Sequence, residues 1–119
     1  MARTPPEVTK INDVTIIVFG SDYENLDEQC LDDVRDLILN TAEEADPPRM
    51  LLDLSNTSFF GSSFIEVLFR VWNRMNGKDG KFAITGLTPY CKEVLEITHL
   101  DRIWGIYDSQ DEAFAAFDS

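Results

Sequence analysis

Cysteine and histidine are scarce in this chain of 119 residues, which has two cysteines and one histidine. The cysteines, Cys30 and Cys91, lie on predicted helices and are too few for a disulfide framework. A zinc site or a Cys-His catalytic pair needs several ligands or a base near the thiol, and His99 has no such companions. We therefore predict structural thiols, no metal and no cofactor.

Long hydrophobic runs are also missing. No apolar stretch approaches the ~18 residues that a membrane-spanning helix needs. The first residues, MARTPP, lack the hydrophobic core of a secretory signal. We expect no membrane association, no export and a cytoplasmic location.

Positive charge is in short supply, because 10 basic side chains stand against 22 acidic ones, for a net charge of −12. Such a surface repels the phosphate backbone of DNA and RNA, and it repels anionic membranes for the same reason. A basic protein partner would be attracted and steered toward it. An acidic surface also keeps many proteins in solution, so net charge alone does not distinguish a docking surface from one that only keeps the protein soluble.

Strand and helix patterns alternate along the chain. Residues 8–12 and 14–19 form two predicted strands around Asn12-Asp13, which tolerate the left-handed backbone of a tight hairpin. The later predicted elements are a helix opening with a capping box at Asn25 and Glu28, a strand over residues 50–54, a helix from Ser63, a strand over 81–85, a helix from Thr88-Pro89, a strand over 103–107 and a helix from Ser109.

This order, β-β-α-β-α-β-α-β-α, predicts one α/β domain over residues 1–119. Strands that alternate with helices imply parallel pairing through right-handed crossovers. The sheet is therefore expected to be open and mostly parallel, with an N-terminal hairpin strand. Residues 1–6 are predicted to be a disordered tail.

The stretch over residues 50–75 joins the third predicted strand to the second helix. Gly61-Ser62-Ser63 opens that helix, so two hydroxyls lie where the carboxyl end of a strand meets a helix N-terminus. Ligands and partners usually bind at that edge of an open α/β sheet, and a helix N-terminus tolerates an added phosphate. The spacing of Ser63 and Glu66 predicts a capping box.

These residues resemble the signature of the anti-sigma-factor antagonists of the STAS-domain family. The family pattern is a hydrophobic strand ending in Asp-Leu-Ser, a short loop, an aromatic residue, and Asp-Ser-Ser-Gly-Leu at a helix start. The pattern matches here at Asp53-Leu54-Ser55, Phe60 and Ser62-Ser63. Gly61 and Phe64 replace the aspartate and the glycine, and the similarity covers roughly residues 8–117.

The resemblance implies a STAS-like open sheet and a regulatory protein-binding module that catalyses nothing. Such a module, when unphosphorylated, binds an anti-sigma factor with serine kinase activity and so releases a sigma factor. Phosphorylation ends the binding, and a serine phosphatase restores it. The phosphorylated serine of the family maps to Ser63, with Ser62 as the fallback acceptor, and Thr57 and Ser58 are weaker candidates expected to be exposed.

The predicted partner-binding surface combines this helix start with the end of a neighbouring strand. Aromatic side chains often carry binding energy, so Phe60 and Phe64 would be interface anchors if they are exposed beside the serines. The predicted partner-binding residues are Ser21, Asp22, Tyr23, Ser58, Phe60, Gly61, Ser62, Ser63, Phe64 and Val67.

Other hypotheses stay open at this point. Gly61 and Phe64 favour a non-phosphorylated STAS scaffold or sensor module with a degenerate Gly-Ser-Ser-Phe site. A small α/β enzyme would need a constellation such as the Gly-x-Ser-x-Gly elbow, and a nucleotide-binding loop would need Gly-x4-Gly-Lys-Ser/Thr; neither pattern occurs. The resemblance alone leaves nucleotide binding undecided.

Overall fold

The computed structural model describes residues 4–118. Short 3₁₀ turns at Ser21–Tyr23 and Leu100–Arg102 accompany the regular elements. Within the described range these are β1 (Glu7–Ile11), β2 (Val14–Val18), β3 (Asn25–Leu26), α1 (Glu28–Glu44), β4 (Arg49–Asp53), β5 (Phe59–Phe60), α2 (Ser62–Gly77), β6 (Lys81–Thr85), α3 (Pro89–Ile97), β7 (Gly105–Tyr107) and α4 (Gln110–Phe117).

The main sheet has the strand order β1-β2-β4-β6-β7. β1 pairs antiparallel with β2, and the other neighbours pair in parallel. The hairpin between β1 and β2 turns through Asn12 and Asp13, whose φ angles are 52° and 66°. These findings confirm the predicted α/β class, with a mostly parallel sheet and an N-terminal hairpin strand.

Helices cover both faces of the sheet because alternate strand residues point to opposite sides. On one face, Ile17, Leu52 and Ile84 belong to the larger buried cluster, which α1, α2 and α3 cover. On the other face, a smaller cluster that includes Ile16 and Leu51 packs under α4. The sheet core is therefore thick on one side and thin on the other.

The start of α1 differs from the prediction of a capping box at Asn25 and Glu28. Asp27 is the N-cap, and its carboxylate accepts a hydrogen bond from the N–H of Cys30 at 2.8 Å. Asn25 instead lies in β3, which pairs in parallel with β5. The predicted caps of the last two helices are confirmed, since Thr88 caps α3 and Ser109 caps α4 through their side chains.

The two ends of the chain also differ in detail from the prediction. Residues 1–3 of the predicted tail lie outside the described residues, and the disorder of the tail stays a prediction. Thr4 donates its N–H to Asp22 at 2.8 Å and accepts from the hydroxyl of Tyr23 at 2.7 Å, while Pro6 is buried. The last strand is shorter than predicted, because Ile103 follows a 3₁₀ turn and β7 begins at Gly105.

Candidate partner-binding site at the start of α2

The N-terminus of α2 is capped by backbone alone. Gly61 is the N-cap, in extended conformation, and no side chain accepts a hydrogen bond from the first turn. The predicted capping box at Ser63 and Glu66 is therefore wrong, and Glu66 instead accepts a hydrogen bond from Arg70 at 2.9 Å. Ser62 is exposed and Ser63 is half-buried at the first two positions of the helix. Neither hydroxyl serves as a cap.

The electrostatics of this helix start favour an added anion. The first turn of α2 contains no acidic side chain. The N–H groups of Phe64 and Ile65 both donate to the carbonyl of Gly61, so the preceding amides of Ser62 and Ser63 lie at the positive end of the helix dipole. A phosphate on either serine would meet favourable backbone charge there.

The loop that leads to α2 is held by the segment that follows β2. The hydroxyl of Thr57 donates to the carbonyl of Tyr23 at 2.9 Å, and the N–H of Ser58 donates to Glu24 at 2.7 Å. From the opposite side, the hydroxyl of Thr88 donates to the carbonyl of Ser58 at 3.3 Å. The serine-bearing segment is therefore tied to both neighbouring strand ends. Thr57 is buried in these contacts, which corrects the expectation of an exposed hydroxyl.

The carboxylate of Asp53, the last residue of β4, holds the beginning of the same loop through hydrogen bonds. The side chain is 8% exposed and accepts hydrogen bonds from the N–H of Ser55 at 2.9 Å and from the Ser55 hydroxyl at 2.5 Å. The amide of Gln110, the first residue of α4, donates to the other carboxylate oxygen at 2.6 Å. Gly86 follows β6 with φ of 79° and packs so closely on Ser55 that a Cβ would collide with its backbone.

Cys91 packs under this loop from α3. Its buried thiol donates to the carbonyl of Ser58 at 3.5 Å. Burial raises the pKa of the thiol, against weaker opposing hydrogen bonds from Thr88 and the backbone of Phe60. The thiol is therefore protonated at neutral pH, in agreement with a structural role.

The predicted partner-binding residues separate into a surface group and a core group. Ser21, Asp22, Ser58 and Ser62 are exposed, and Gly61 and Ser63 are half-buried. The members of the core group are less than 4% exposed, and they are Tyr23, Phe60, Phe64 and Val67.

Because Phe60 and Phe64 are buried, they do not meet the condition of exposure under which they would be aromatic anchors. Their rings lie 5.2 Å apart, and the Phe64 ring packs edge-on against Phe19 at 6.3 Å. The Tyr23 ring also packs on Phe19, at 5.8 Å. These side chains support the serine segment from beneath and do not form its outer surface. The Phe64 ring fills the core below the serines and does not crowd the space above them.

An exposed aromatic pair was missed by the sequence analysis. Phe59 and Tyr90 stack with ring centroids 5.8 Å apart and an interplanar angle of 22°. Phe59 is 38% exposed and Tyr90 is 53% exposed. Helical spacing was the available signal for Tyr90, because Cys91 and Leu95 point inward and turn the neighbouring position outward. For Phe59 the signal was its alternation with Phe60 on a strand.

No three histidine, cysteine, aspartate or glutamate side chains within residues 4–118 group closely enough to hold a metal ion. Among the helices of the same range, none combines the length and the apolar character that crossing a bilayer requires.

An open, mostly parallel sheet that presents a serine pair at a helix start defines a small α/β domain, and comparison with known proteins identifies its family. Residues 5–113 match the family model of the STAS domain. The structure of an anti-sigma-factor antagonist (STAS) domain protein from Planctomyces limnophilus has a TM-score of 0.92 and 38% identity, over 98% of this chain and 100% of that one. The chain therefore belongs to the STAS domain family, as its signature residues predicted.

Two further relatives are more distant. The phosphorylated form of the Bacillus cell fate determinant SpoIIAA has a TM-score of 0.66 at 18% identity, over 93% of this chain and 97% of that chain, and it supports the fold alone. BtrV of Bordetella bronchiseptica, provisionally named an anti-sigma factor antagonist, is 29% identical over 69 residues. That match spans 58% of this chain and 60% of BtrV. The family model, the Planctomyces limnophilus structure and BtrV together make the chain an anti-sigma-factor-antagonist-like STAS domain.

Proposed function

We propose that this domain binds an anti-sigma factor through the surface around the start of α2, and that phosphorylation of Ser63 ends the binding. The observation that carries the proposal is that two serines occupy the first two positions of α2 and that neither of their hydroxyls caps the helix. The hydroxyl of Ser63 has no structural hydrogen bond among the described residues to lose when it is modified. Ser62 is more exposed and is the alternative acceptor.

A phosphate at this position would act on the partner rather than on the fold. It adds about −1.5 to −2 charge at pH 7 and three strong acceptor oxygens. The helix dipole favours that charge by about 0.3–1 kcal/mol, so the domain itself is not expected to unfold. A partner that touches the unmodified serine would instead meet new bulk and negative charge.

The chemistry of the partner follows from the charge of the domain. With a net charge of −12, the domain attracts and steers a basic surface. We infer that the partner is an anti-sigma factor with serine kinase activity and a basic docking face, with a serine phosphatase reversing the modification. The relatives that are named as anti-sigma factor antagonists support this partner class, and for such a partner we infer a cytoplasmic location. The domain acts here by binding and not as an enzyme.

The exposed pair Phe59 and Tyr90 extends the proposed surface. The carbonyl of Ser58, one residue before Phe59, accepts from Thr88, which caps α3 directly before Pro89 and Tyr90. Two stacked aromatic rings therefore flank the loop that leads to the serines. Aromatic side chains at such positions commonly contribute much of the binding energy of an interface.

A constitutive binding module is the second candidate function. Gly61 stands where the family pattern has a carboxylate, and Ser63 is half-buried. Gly61 has open space around its Cβ direction, so Gly61→Asp restores the family carboxylate without a steric conflict. If Gly61 is what prevents phosphorylation, Gly61→Asp will become a better kinase substrate than the wild type.

Phosphopeptide mapping of the protein from its native cell separates the two candidates. We expect one phosphate on Ser63 in the wild type, none in Ser63→Ala, and an unchanged amount in Ser58→Ala, which removes another exposed hydroxyl of the same edge. Ser63→Glu is expected to lose the partner in affinity capture while it keeps the wild-type unfolding midpoint. A protein that carries no phosphate at Ser62 or Ser63 under any growth condition would refute the switch.

A further inference from the structure

One edge of the main sheet is open. β1 is the outermost strand beside β2, and its residues are exposed apart from the half-buried Thr9. Within the described part of the chain, none of its residues belongs to either buried cluster, so the helices do not cover this strand. An exposed edge strand is a template for pairing with a further strand. The opposite edge, β7, has three residues, which are all half-buried.

The hairpin decides which backbone groups of β1 face outward. Its turn has two residues, so the closing residues Ile11 and Val14 form a hydrogen-bonded pair. Hydrogen-bonded and non-hydrogen-bonded pairs alternate along an antiparallel ladder, so every second residue back from Ile11 bonds to β2. The N–H and C=O groups of Val8 and Lys10 therefore point away from the sheet.

A second copy of the chain offers the same edge in a matching register. Two β1 strands related by a two-fold axis lie antiparallel. When Thr9 of one copy faces Thr9 of the other, Val8 of each copy lies opposite Lys10 of the other. Every outward N–H of one strand then meets an outward C=O of the other strand.

Neighbouring registers are less favourable. A shift by two residues in one direction sets Lys10 opposite Lys10 of the second copy, and like charges directly opposite each other are destabilising. The shift in the other direction sets Lys10 opposite Pro6, which has no N–H to donate. A shift by one residue sets outward groups against residues that already bond to β2. The edge is therefore self-complementary in a single register.

Charge and size limit the strength of such a contact. The ammonium of Lys10 donates to the carbonyl of Asp46 in its own copy at 2.6 Å, and the pairing of the two backbones leaves this bond in place. The net charge of −12 repels a second copy, and salt screens that repulsion. Two five-residue strands bury less than the ~800 Å² per partner of a standard interface, so we expect a weak and reversible contact.

We propose that β1 pairs with β1 of a second copy, so that two five-stranded sheets join into one continuous sheet. The two-fold axis reverses the strand direction, so the carboxyl ends of the parallel strands lie at opposite ends of the joined sheet. The serine pairs at the start of α2 in the two copies then face away from each other. Both copies can bind a partner at the same time.

Solvent exchange of the amides, measured by NMR on the whole domain, is the first test. We expect the amides of Val8 and Lys10 to exchange severalfold more slowly as the protein concentration rises from micromolar to millimolar. The amides of Thr9 and Ile11, which bond to β2, are internal controls and are expected to stay protected at every concentration. Added salt is expected to increase the protection of Val8 and Lys10.

Two substitutions at Val8 test the register through charge. Val8→Glu sets a carboxylate opposite Lys10 of the second copy, whereas Val8→Lys sets two ammonium groups opposite each other. We expect Val8→Glu to dimerise about fivefold more tightly than Val8→Lys in sedimentation equilibrium. Net charge alone predicts the reverse order, because Val8→Glu makes an acidic chain more acidic. The double variant Val8→Lys with Lys10→Glu is expected to restore the tighter dimer.

Val8→Pro tests the outward hydrogen bonds. It removes an outward N–H without removing a bond to β2, and edge strands tolerate proline at such a position. We expect the wild-type unfolding midpoint and no dimer at millimolar protein. If this variant does not fold, the two charge variants still decide the question.

Three results would overturn the pairing. They are exchange at Val8 and Lys10 that does not depend on concentration, a folded Val8→Pro that dimerises as tightly as the wild type, or Val8→Lys dimerising at least as tightly as Val8→Glu. Protection of the edge that appears only when an anti-sigma factor is added would assign β1 to that partner and would also overturn the dimer. The pairing does not depend on phosphorylation, so it can fail while the proposed function stands, and the reverse.

Discussion

The two adjacent phenylalanines of β5 provide a matched pair for testing which of the two side chains lies in the core and which on the surface. Phe59 is 38% exposed and stacks on Tyr90, whereas Phe60 is 3% exposed and packs on Phe64. We predict that Phe60→Ala strongly destabilises the domain and that Phe59→Ala hardly does so. For partner binding we expect the opposite order, with Phe59→Ala weakening the affinity more than Phe60→Ala.

The magnitudes follow from the burial of each ring. Truncation of a fully buried phenylalanine costs about 3–5 kcal/mol, which sums the lost transfer free energy and the cavity left behind. Phe59→Ala removes one exposed aromatic stack, and such pairs contribute about 0.5–1.5 kcal/mol to the free energy of unfolding. We therefore expect the free energy of unfolding to fall by about 1 kcal/mol for Phe59→Ala and by about 3–5 kcal/mol for Phe60→Ala.

Urea unfolding followed by tryptophan fluorescence measures both changes. With a denaturant slope of about 1.5 kcal/mol/M, the midpoint shifts by about 2 M or more for Phe60→Ala and by less than about 1 M for Phe59→Ala. Phe60→Leu is a milder variant that keeps the folded state populated, with an expected loss of about 1.5 kcal/mol. Equal losses for the two alanine variants, or a larger loss for Phe59→Ala, would refute the assignment of Phe60 to the core.

Three further changes probe the contacts that hold the loop before α2. Gly86→Ala is expected to cost about 2–3 kcal/mol in urea unfolding, because φ of 79° is strained for alanine and its methyl meets Ser55; Gly77→Ala, in open space, is the control. Asp53→Asn is expected to cost about 1–3 kcal/mol and to speed amide exchange at Ser55, since an amide cannot accept all three hydrogen bonds. Burial raises the pKa of Cys91, so the unfolded thiol ionises first; stability is full below pH ~8.5 and falls as the pH rises further. The alkaline loss of melting temperature is expected to be smaller in Cys91→Ala, and an equal loss would contradict the shift.

The order of the main elements was predictable because local chemistry decided it. Asn12-Asp13 specifies a hairpin turn with positive φ, and Thr88-Pro89 specifies a helix start, whatever the rest of the chain does. The family assignment was predictable for a similar reason, because its signature lies in one continuous stretch around Asp53 and Ser62-Ser63.

The details of the site were not predictable, because contacts between distant residues decided them. β3 and β5 have two residues each, too few to display an alternating pattern, and they form only because residues 25–26 pair with 59–60. The same pairing decides which phenylalanine of β5 is buried. The N-cap of α2 is Gly61 and not the predicted Ser63. The N–H of Gly61 donates to the carbonyl of Leu26 at 3.4 Å, which helps to hold Gly61 in extended conformation.

Residues 54–58 are hydrogen-bonded to the segments that follow β2 and β6, and this has a consequence for the heat capacity change of partner binding. A segment that is already ordered loses little conformational entropy when a partner docks on it. We therefore expect the heat capacity change of association to match the apolar area that the two surfaces bury, without the additional term that accompanies the folding of a disordered segment. On this basis we expect the proposed docking surface to be preformed, so that the conformational adjustment during association is made by the partner.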